Sequence, residues 1–365
     1  MMVEISVEAV KARAFEIPTD RPEADGTMSW NSTTLVLVEV AAGAKSGLGY
    51  TYSDHSIVAL ITSKLASIVC GMNALAPETA WMAMQRAVRN LGREGLAANA
   101  ISAVDTALYD LKARIWGVPL AQLLGSYRRN VPIYGSGGFT TYSDTELAEQ
   151  LGKWVADAGC TNVKMKVGSE PDLDPHRVQV ASRAIGERAN LFVDANGAYS
   201  VKQALELADL FEPHRVKWFE EPVSSDDLAG LHAVRARAPA GMEVAAGEYA
   251  YTTDYVRTML EASAVDVQQA DITRCGGVTG FLKIASLCEA HQIDLSGHCA
   301  PALHLHAACA VPRLRHLEWF HDHVRIEHML FDGAPKPRNG AIQPDLSVAG
   351  NGLILKEADA ERYAI

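Results

Sequence analysis

From residue 131 onward, the sequence alternates between short apolar segments and amphipathic stretches long enough to form helices. Short apolar segments are typical of buried strands, and strands that alternate with helices form parallel sheets. The pattern predicts an α/β fold in which eight parallel strands close into a TIM-type barrel. An open doubly wound sheet is the alternative, but no Gly-x-Gly-x-x-Gly turn follows an early strand. The eight segments recur about every 25 residues: Val131–Tyr134, Asn162–Val167, Leu191–Asp194, Val216–Glu220, Met242–Ala246, Val265–Ala270, Ile293–Ser296 and Leu314–Trp319.

An ionisable residue stands at or just after the end of seven of these strands. The carboxyl ends of barrel strands lie on one rim, so we expect the seven side chains to face one cavity. A hydrophobic core does not explain so many charges, because burying an unpaired charge is costly. The spacings of 28, 26, 28, 23, 27 and 20 residues repeat the period of the strands and separate Lys166, Asp194, Glu220, Glu248, Asp271, His298 and Glu318.

Asp194, Glu220 and Glu248 come from three successive strands and are expected to lie side by side. Adjacent carboxylates repel one another unless a cation neutralises them, and oxygen ligands alone suit Mg²⁺, with Mn²⁺ as the alternative. Three separately paired surface acids are the competing interpretation, which the strand spacing disfavours. Glu221 follows Glu220, but neighbours on a strand point to opposite sides, so only one of the two is expected to bind the metal.

Two further pairs are candidates for acid and base chemistry. Lys164 and Lys166 lie two residues apart, which places both side chains on one face of a strand. Two ammonium groups at this distance, with a dication nearby, are expected to lower each other's pKa towards the range in which a lysine acts as a base. Asp271 and His298 end neighbouring strands and predict a dyad in which the aspartate orients the imidazole.

Glu318 on the last strand has two open interpretations. It is either a neutral acid that donates a hydrogen bond because the site raises its pKa, or an ordinary strand-end carboxylate. His321 and His323 spell the His-x-His of zinc-dependent barrel hydrolases. Those enzymes need the pair on the first strand, which here contains no histidine, so a zinc hydrolase is disfavoured.

Composition excludes several classes of protein. The chain has 33 Lys and Arg against 44 Asp and Glu, a net charge of −11, and no basic cluster, which disfavours nucleic-acid and anionic-membrane partners. The six cysteines include no Cys-x-x-Cys pair, which argues against a disulfide framework and a structural zinc site. The first residues do not resemble a signal peptide, and no apolar run approaches the roughly 20 residues that span a bilayer. We therefore expect a reduced, cytoplasmic protein.

The chain divides into three parts. Residues 1–128 predict an α+β lobe with strands at Ile5–Phe15 and Thr33–Val40, a polar loop over 18–32, and helices near 56–69, 77–90 and 98–116. Residues 129–330 form the predicted barrel. Residues 331–365 are rich in Pro, Gly and Asn, lack the helix–strand rhythm, and are expected to return to the first lobe.

Taken together, the strand-end motifs resemble the enolase superfamily and, within it, the mandelate racemase subgroup, over nearly the whole chain. The motifs are Lys164-x-Lys166, Val193-Asp194-Ala195-Asn196, Phe219-Glu220-Glu221-Pro222, Gly247-Glu248, Asp271-x-x-x-Cys275-Gly276-Gly277, Gly297-His298 and Leu317-Glu318. The resemblance implies a modified (β/α)7β barrel under an N-terminal capping domain that the C-terminal tail completes.

The resemblance also implies roles for the strand-end residues. Mg²⁺ would bind to the three carboxylates, and Lys166 and the His298–Asp271 dyad would lie on opposite faces of the substrate. Glu318 would donate a hydrogen bond to the substrate carboxylate with Lys164 as its electrostatic partner, and Asn196 would contact the substrate. A homo-oligomer is implied as well.

The reaction implied is removal of the proton α to a carboxylate through an ene-diolate. We favour dehydration of an acid sugar (an aldonate or aldarate) to a 2-keto-3-deoxy acid, because the segments expected to cover the site are polar. These are Thr19, Asp20, Arg21, Ser29, Asn31 and Thr51–His55. A racemase or epimerase of a 2-hydroxy acid is one alternative, and a non-catalytic sugar-acid-binding protein is the other.

Overall fold

The first sheet is antiparallel and lies at the N-terminal end of the chain, in a computed structural model that describes residues 4–365. Its strands β1 (Ala9–Ala24), β2 (Ser29–Ala42) and β3 (Lys45–Tyr52) pair in sequence order. The polar loop predicted for residues 18–32 is wrong. The two strands continue past a register shift that accommodates Pro18, and they pair again at Glu23 and Trp30. Polar side chains are compatible with these strands because the end of the hairpin lies outside the hydrophobic core of the N-terminal lobe.

The helix Leu96–Trp116 packs on β2 and β3, and a run from Ile57 to Val69 that contains a π-helical stretch packs on β1. The helices Pro77–Ala87 and Leu120–Leu124 pack against Leu96–Trp116. Strand β3 was not predicted, because its glycines lower its strand propensity. Those glycines permit a close approach to the long helix. A Cβ added at Gly49 would lie 2.3 Å from the carbonyl oxygen of Ala103.

Eight parallel strands form the barrel, which closes where its last strand pairs with its first. All eight predicted strands are confirmed, with ends within three residues of the expected positions. Strands β4–β11 are Val131–Gly137, Asn162–Lys166, Asn190–Asp194, Val216–Glu220, Glu243–Ala246, Val267–Ala270, Asp294–Gly297 and Leu314–Phe320.

A helix follows each barrel strand, including the last one. The first of them begins after Ser143, whose side chain forms a capping box with Glu146. Among residues 4–365, no helix has both the length and the apolar character needed to cross a membrane. The eight helices are Asp144–Ala156, Asp174–Ile185, Val201–Phe211, Leu228–Arg235, Thr253–Glu261, Gly277–Ala290, Pro301–Ala308 and His321–Leu330.

Aromatic side chains fill the interior of the barrel. Phe192 stacks on Trp218 with ring centroids 5.1 Å apart, and Tyr134 and His316 pack against this pair. The four rings come from β4, β6, β7 and β11. They form a buried aromatic layer beneath the carboxyl ends of the strands, where the predicted site residues lie.

The C-terminal residues contact both sheets. The short strand Ala341–Ile342 pairs with β4, and another short pair joins Phe331–Asp332 to Ile354–Leu355. A short helix, Glu357–Ala360, and a 3-10 turn, Glu361–Tyr363, follow. The backbone N–H of Ile365 donates to the carbonyl of Ala14 in β1. Domain boundaries at residues 128 and 330 stay a prediction.

We predict opposite effects for alanine at two glycines. G49A places a methyl group against the backbone of the long helix, and overpacking of this kind costs about 1–3 kcal/mol. G152A lies in the helix Asp144–Ala156 with no atom near its added Cβ, and it should stabilise by about 0.5–1 kcal/mol. Urea unfolding of both variants tests this, and equal shifts in the midpoint would contradict the close packing of β3.

Candidate active site

The predicted site residues meet at the carboxyl ends of the barrel strands and are almost completely buried. Lys164 and Lys166 end β5, and His298 follows β10. Two strands, β4 and β11, separate β5 from β10 on one side of the barrel, and four strands separate them on the other. The lysines and the histidine therefore face one another across the cavity. The buried group is Lys164, Lys166, Asp194, Glu220, Glu248, Asp271, His298 and Glu318.

Asp194, Glu220 and Glu248 form the expected trio. One oxygen of each lies within 4.8 Å of the others, so one cation can contact all three. The indole Nε1 of Trp218 donates to Glu220 at 2.8 Å and fixes its orientation. Glu248 Oε2 is buried without a hydrogen-bond partner among the described residues. An oxygen-only donor set with an unsatisfied carboxylate oxygen fits a hard divalent cation such as Mg²⁺.

Lys164 lies at the centre of the buried charges. Its Nζ is 2.9 Å from Glu318 Oε1 and 3.3 Å from Asp194 Oδ2, and it also donates to Glu220. The ring of Tyr134 lies beneath the ammonium group, 5.4 Å from Nζ to the ring centroid. One lysine thus compensates part of the charge of three carboxylates.

Lys166 contacts Asp194 Oδ2 at 2.6 Å and the Asn196 side-chain oxygen at 3.1 Å. Burial lowers the pKa of Lys166, but the carboxylates of Asp194, Glu248 and Glu220 together raise it more, so the net direction is upward. The expectation of a lowered lysine pKa is therefore wrong for the protein without a bound cation. The carboxylates attract the proton more strongly than Lys164 repels it.

Asp271 and His298 form the predicted dyad. His298 Nδ1 lies 2.8 Å from Asp271 Oδ2, and both the backbone N–H and the hydroxyl of Thr273 donate to Asp271 Oδ1 at 2.7 Å. Arg274 lies 3.7 Å from Asp271 and 3.3 Å from Glu248. Burial disfavours the imidazolium, but the surrounding carboxylates raise the pKa of His298 well above its ordinary value.

The environment of Glu318 differs from the expected neutral acid. Ser136 Oγ donates to Oε1 at 2.5 Å, and the backbone N–H of Cys299 donates to Oε2 at 3.0 Å. Burial raises the pKa of Glu318, but Lys164, His298 and Lys166 together lower it more, and the net direction is downward. In this state Glu318 is an ionised acceptor, because every group in contact with it is a donor.

Glu221 does not belong to the carboxylate trio, in agreement with strand alternation. Its backbone has a φ of +38°, and Asn196, Cys299 and Ala300 also have positive φ values. Burial, then Glu248, raises the pKa of Glu221 well above its ordinary value. Four non-glycine residues in the left-handed region beside the same rim show that backbone strain is concentrated at the site.

A cavity of about 540 Å³ opens above these residues. The tip of the β1–β2 hairpin covers it, and a Cβ added at Gly26 would lie 2.5 Å from the carbonyl oxygen of Ala195. The lining residues beyond the charged rim include Asp25, Met28, Trp30, Ser32, Thr33, Thr34, Tyr52, Ser53, Asp54, Asn196, Tyr249, Cys299, Phe320 and His323.

The predicted polar cover is largely wrong. Residues 52–54 do line the cavity, but Thr19, Asp20, Arg21, Ser29 and Asn31 do not. Because residues 29–32 belong to a strand, alternate side chains face opposite sides, and Trp30 and Ser32 point inward instead. If the hairpin had been recognised in the sequence, strand alternation would have predicted Trp30 and Ser32 at the cavity in place of Ser29 and Asn31.

Arg274 and Cys299 are site residues that the sequence analysis missed. Both lie within three residues of a predicted site residue, Asp271 or His298. That proximity on the strand-end loops was the available signal.

We predict that removal of the Lys164 charge destabilises the protein strongly. K164M leaves buried Glu318 and Glu220 without their ammonium partner, and breaking a buried ion pair typically costs about 3–5 kcal/mol. K166M, which loses one ion pair, with Asp194, should cost less. Urea unfolding in a chelator tests this, and equal effects would argue against the central position of Lys164.

Comparison with known proteins places this arrangement in a family. Residues 9–125 match the description "Mandelate racemase / muconate lactonizing enzyme, N-terminal domain", and residues 146–359 match "Enolase C-terminal domain-like". A 3,6-anhydro-alpha-L-galactonate cycloisomerase from Streptomyces coelicolor is 33% identical, over 86% of this chain and 88% of that protein. An L-talarate/galactarate dehydratase from Salmonella typhimurium is 30% identical, over 90% of this chain and 85% of that protein.

Solved structures agree over the full length. A mandelate racemase/muconate lactonizing enzyme-like protein from Rubrobacter xylanophilus is 51% identical with a TM-score of 0.96, covering 99% of this chain and 100% of that chain. A racemase from Streptomyces coelicolor with bound magnesium is 29% identical with a TM-score of 0.92, covering 98% of this chain and 100% of that chain. The chain therefore belongs to the mandelate racemase/muconate lactonizing enzyme family of the enolase superfamily.

Proposed function

We propose that the protein is an acid-sugar dehydratase that removes the proton α to a carboxylate and then eliminates the β-hydroxyl. The observation that carries the proposal is the placement of Lys166 and the His298–Asp271 dyad on facing sides of one cavity beside the carboxylate trio. Relatives named as dehydratases, such as the L-talarate/galactarate enzyme, support the assignment.

In the proposed reaction, Lys166 accepts the α-proton and leaves an ene-diolate. His298 then donates a proton to the β-hydroxyl, which departs as water with the electron pair of its carbon–oxygen bond. The enol product rearranges to a 2-keto-3-deoxy acid. Asp271 holds the imidazole with Nε2 towards the cavity, because Nδ1 is occupied by the 2.8 Å contact.

The metal site fits this reaction. Asp194, Glu220 and Glu248 would hold Mg²⁺, which when bound supplies Lewis-acid stabilisation of the negative charge that develops on the substrate carboxylate. Lys164 would attract the other carboxylate oxygen. A substrate carboxylate competes with Glu318 for the Lys164 ammonium, which raises the pKa of Glu318 towards the value at which it can donate a hydrogen bond.

The cavity suits a polyol acid, and only part of its polar lining, Ser53 and Asp54, belongs to the segments expected from the sequence. Hydroxyl and carboxylate groups of Asp25, Ser32, Thr33, Ser53 and Asp54 line its mouth and can bind substrate hydroxyls. Trp30 and Met28 add an apolar surface on the hairpin side.

Racemisation or epimerisation of a 2-hydroxy acid is the second candidate. The facing positions of Lys166 and His298 favour it, because a proton removed by one group can be returned by the other on the opposite face. A substrate whose β-carbon carries no leaving group would give this outcome.

A library of aldonic and aldaric acids in D₂O with Mg²⁺ tests the proposal. We expect deuterium exchange at the α-carbon and a 2-keto product from at least one acid, and a loss of at least 100-fold in kcat/KM for K166A and H298N. K153A, at an exposed lysine, is the control. Inversion without a keto product would make the protein an epimerase, and binding without any exchange would reject an enzyme.

Calorimetry tests the metal site separately. We expect one Mg²⁺ per chain and at least a tenfold loss of affinity in E220Q, because a charged ligand of the trio is removed. E221Q is the matched control, since Glu221 neighbours Glu220 but lies outside the trio. An equal loss in both variants would contradict the assigned ligands.

A further inference from the structure

A second group of potential ligands lies beside the carboxylate trio and has a different chemistry. Cys299 Sγ is 3.4 Å from His298 Nε2 and 3.4 Å from Glu318 Oε2, and His298 Nε2 is 3.6 Å from Glu318 Oε2. All three side chains are buried and line the main cavity. The three atoms therefore form a nearly equilateral triangle of sulfur, nitrogen and oxygen.

These spacings match a tetrahedral zinc site. Zinc bonds of about 2.3 Å to sulfur and about 2.0–2.1 Å to nitrogen or oxygen place neighbouring ligand atoms roughly 3.3–3.6 Å apart. Three protein ligands with a fourth open position are the arrangement that zinc adopts where the site must also bind water or substrate.

Contacts around the triangle already orient its members. Asp271 accepts from His298 Nδ1, so a metal would bind at Nε2 once the proton on that nitrogen is displaced, as in the carboxylate–histidine–zinc arrangement. The two oxygens of Glu318 have separate partners, since Oε1 contacts Lys164 and Ser136 while Oε2 faces Cys299. Glu318 can thus offer Oε2 to a cation without releasing Lys164.

Glu248, which also belongs to the carboxylate trio, contributes negative charge beside the triangle. Glu248 Oε2 has no hydrogen-bond partner among residues 4–365, lies 3.4 Å from His298 Nε2, and belongs to a side chain that is only 4% exposed. The negative charge of Glu248 next to the triangle lowers the free energy of a cation bound there.

We propose that His298, Cys299 and Glu318 form a second metal site that takes a thiophilic dication such as Zn²⁺ and thereby inhibits the enzyme. Binding displaces the thiol proton of Cys299 and the Nε2 proton of the His298 imidazolium, and both protons are released to solvent. Mg²⁺ is excluded because thiolate is a poor ligand for a hard cation, whereas the carboxylate trio suits it.

Inhibition follows from the position of the ligands. A metal bound to His298 Nε2 occupies the lone pair through which the imidazole would exchange a proton with the substrate. The inhibition rests on the proposed role of His298, whereas the metal binding does not.

Cobalt spectroscopy tests the site. Thiolate bound to Co²⁺ gives a sulfur-to-cobalt charge-transfer band in the near ultraviolet, which carboxylate and imidazole ligands do not give. Co²⁺ is titrated into the full-length protein in excess Mg²⁺, which keeps the carboxylate trio occupied. We expect the band at one equivalent of Co²⁺, and we expect Zn²⁺ to abolish it at one equivalent.

Variants identify the ligands. C299S should lose the band, and E318Q should weaken cobalt binding at least tenfold, while C70S at the exposed cysteine should keep the band unchanged. Thermal unfolding confirms that each variant is folded. No band in the wild-type protein, a band that persists in C299S, or loss of the band in C70S would overturn the proposal.

The two proposals fail separately. If Zn²⁺ binds but no acid undergoes exchange, the metal site stands and the proposed reaction is rejected. If the reaction occurs with Mg²⁺ and micromolar Zn²⁺ leaves kcat/KM unchanged, the inhibitory site is rejected.

Discussion

The compensation of buried carboxylates by Lys164 is the interaction on which the site depends. Glu220 and Glu318 are almost fully enclosed, and each would be costly to ionise without a positive partner. The closed barrel prevents their separation, because each strand end is fixed by hydrogen bonds to both neighbours. The buried aromatic layer beneath them excludes solvent from the barrel interior. The barrel thus holds the carboxylates close enough to repel one another, and a bound cation or an ammonium group relieves this repulsion.

A consequence is that metal and proton compete for the same oxygens. Asp194 holds the proton of Lys166 in the structure described here, and the pKa of that lysine is raised as a result. A cation bound to Asp194 reduces the negative charge that stabilises the protonated form of Lys166, which lowers the pKa of the lysine. For the proposed reaction, the basicity of Lys166 would therefore increase when a cation occupies the carboxylate trio, so the base and the stabilisation of the ene-diolate charge would become available together.

The sequence predicted the barrel and the charged rim well, because both follow from a repeat that local chemistry maintains along the chain. Strand β3 and the hairpin were harder to predict. Gly47 and Gly49 have low strand propensity, and only the contact with the long helix explains them. The resemblance implied Lys164 as the electrostatic partner of Glu318, but the charge state of Glu318 depends on the 2.9 Å separation of the two side chains, which the sequence does not give. Local sequence patterns predicted the strands and helices. The residues that cover the cavity and the charge states of the buried groups depend instead on contacts between residues that are distant in sequence.

Glu318 connects the two halves of the rim. Its Oε1 contacts Lys164, which also contacts the carboxylate trio that suits a hard cation. Its Oε2 contacts Cys299, whose sulfur suits a soft cation. Side chains on the ends of two neighbouring strands, β10 and β11, are enough to bring sulfur, nitrogen and oxygen together. In the proposed second site, the ends of β10 and β11 would therefore supply a ligand set whose chemistry differs from that of the carboxylate trio on the same rim.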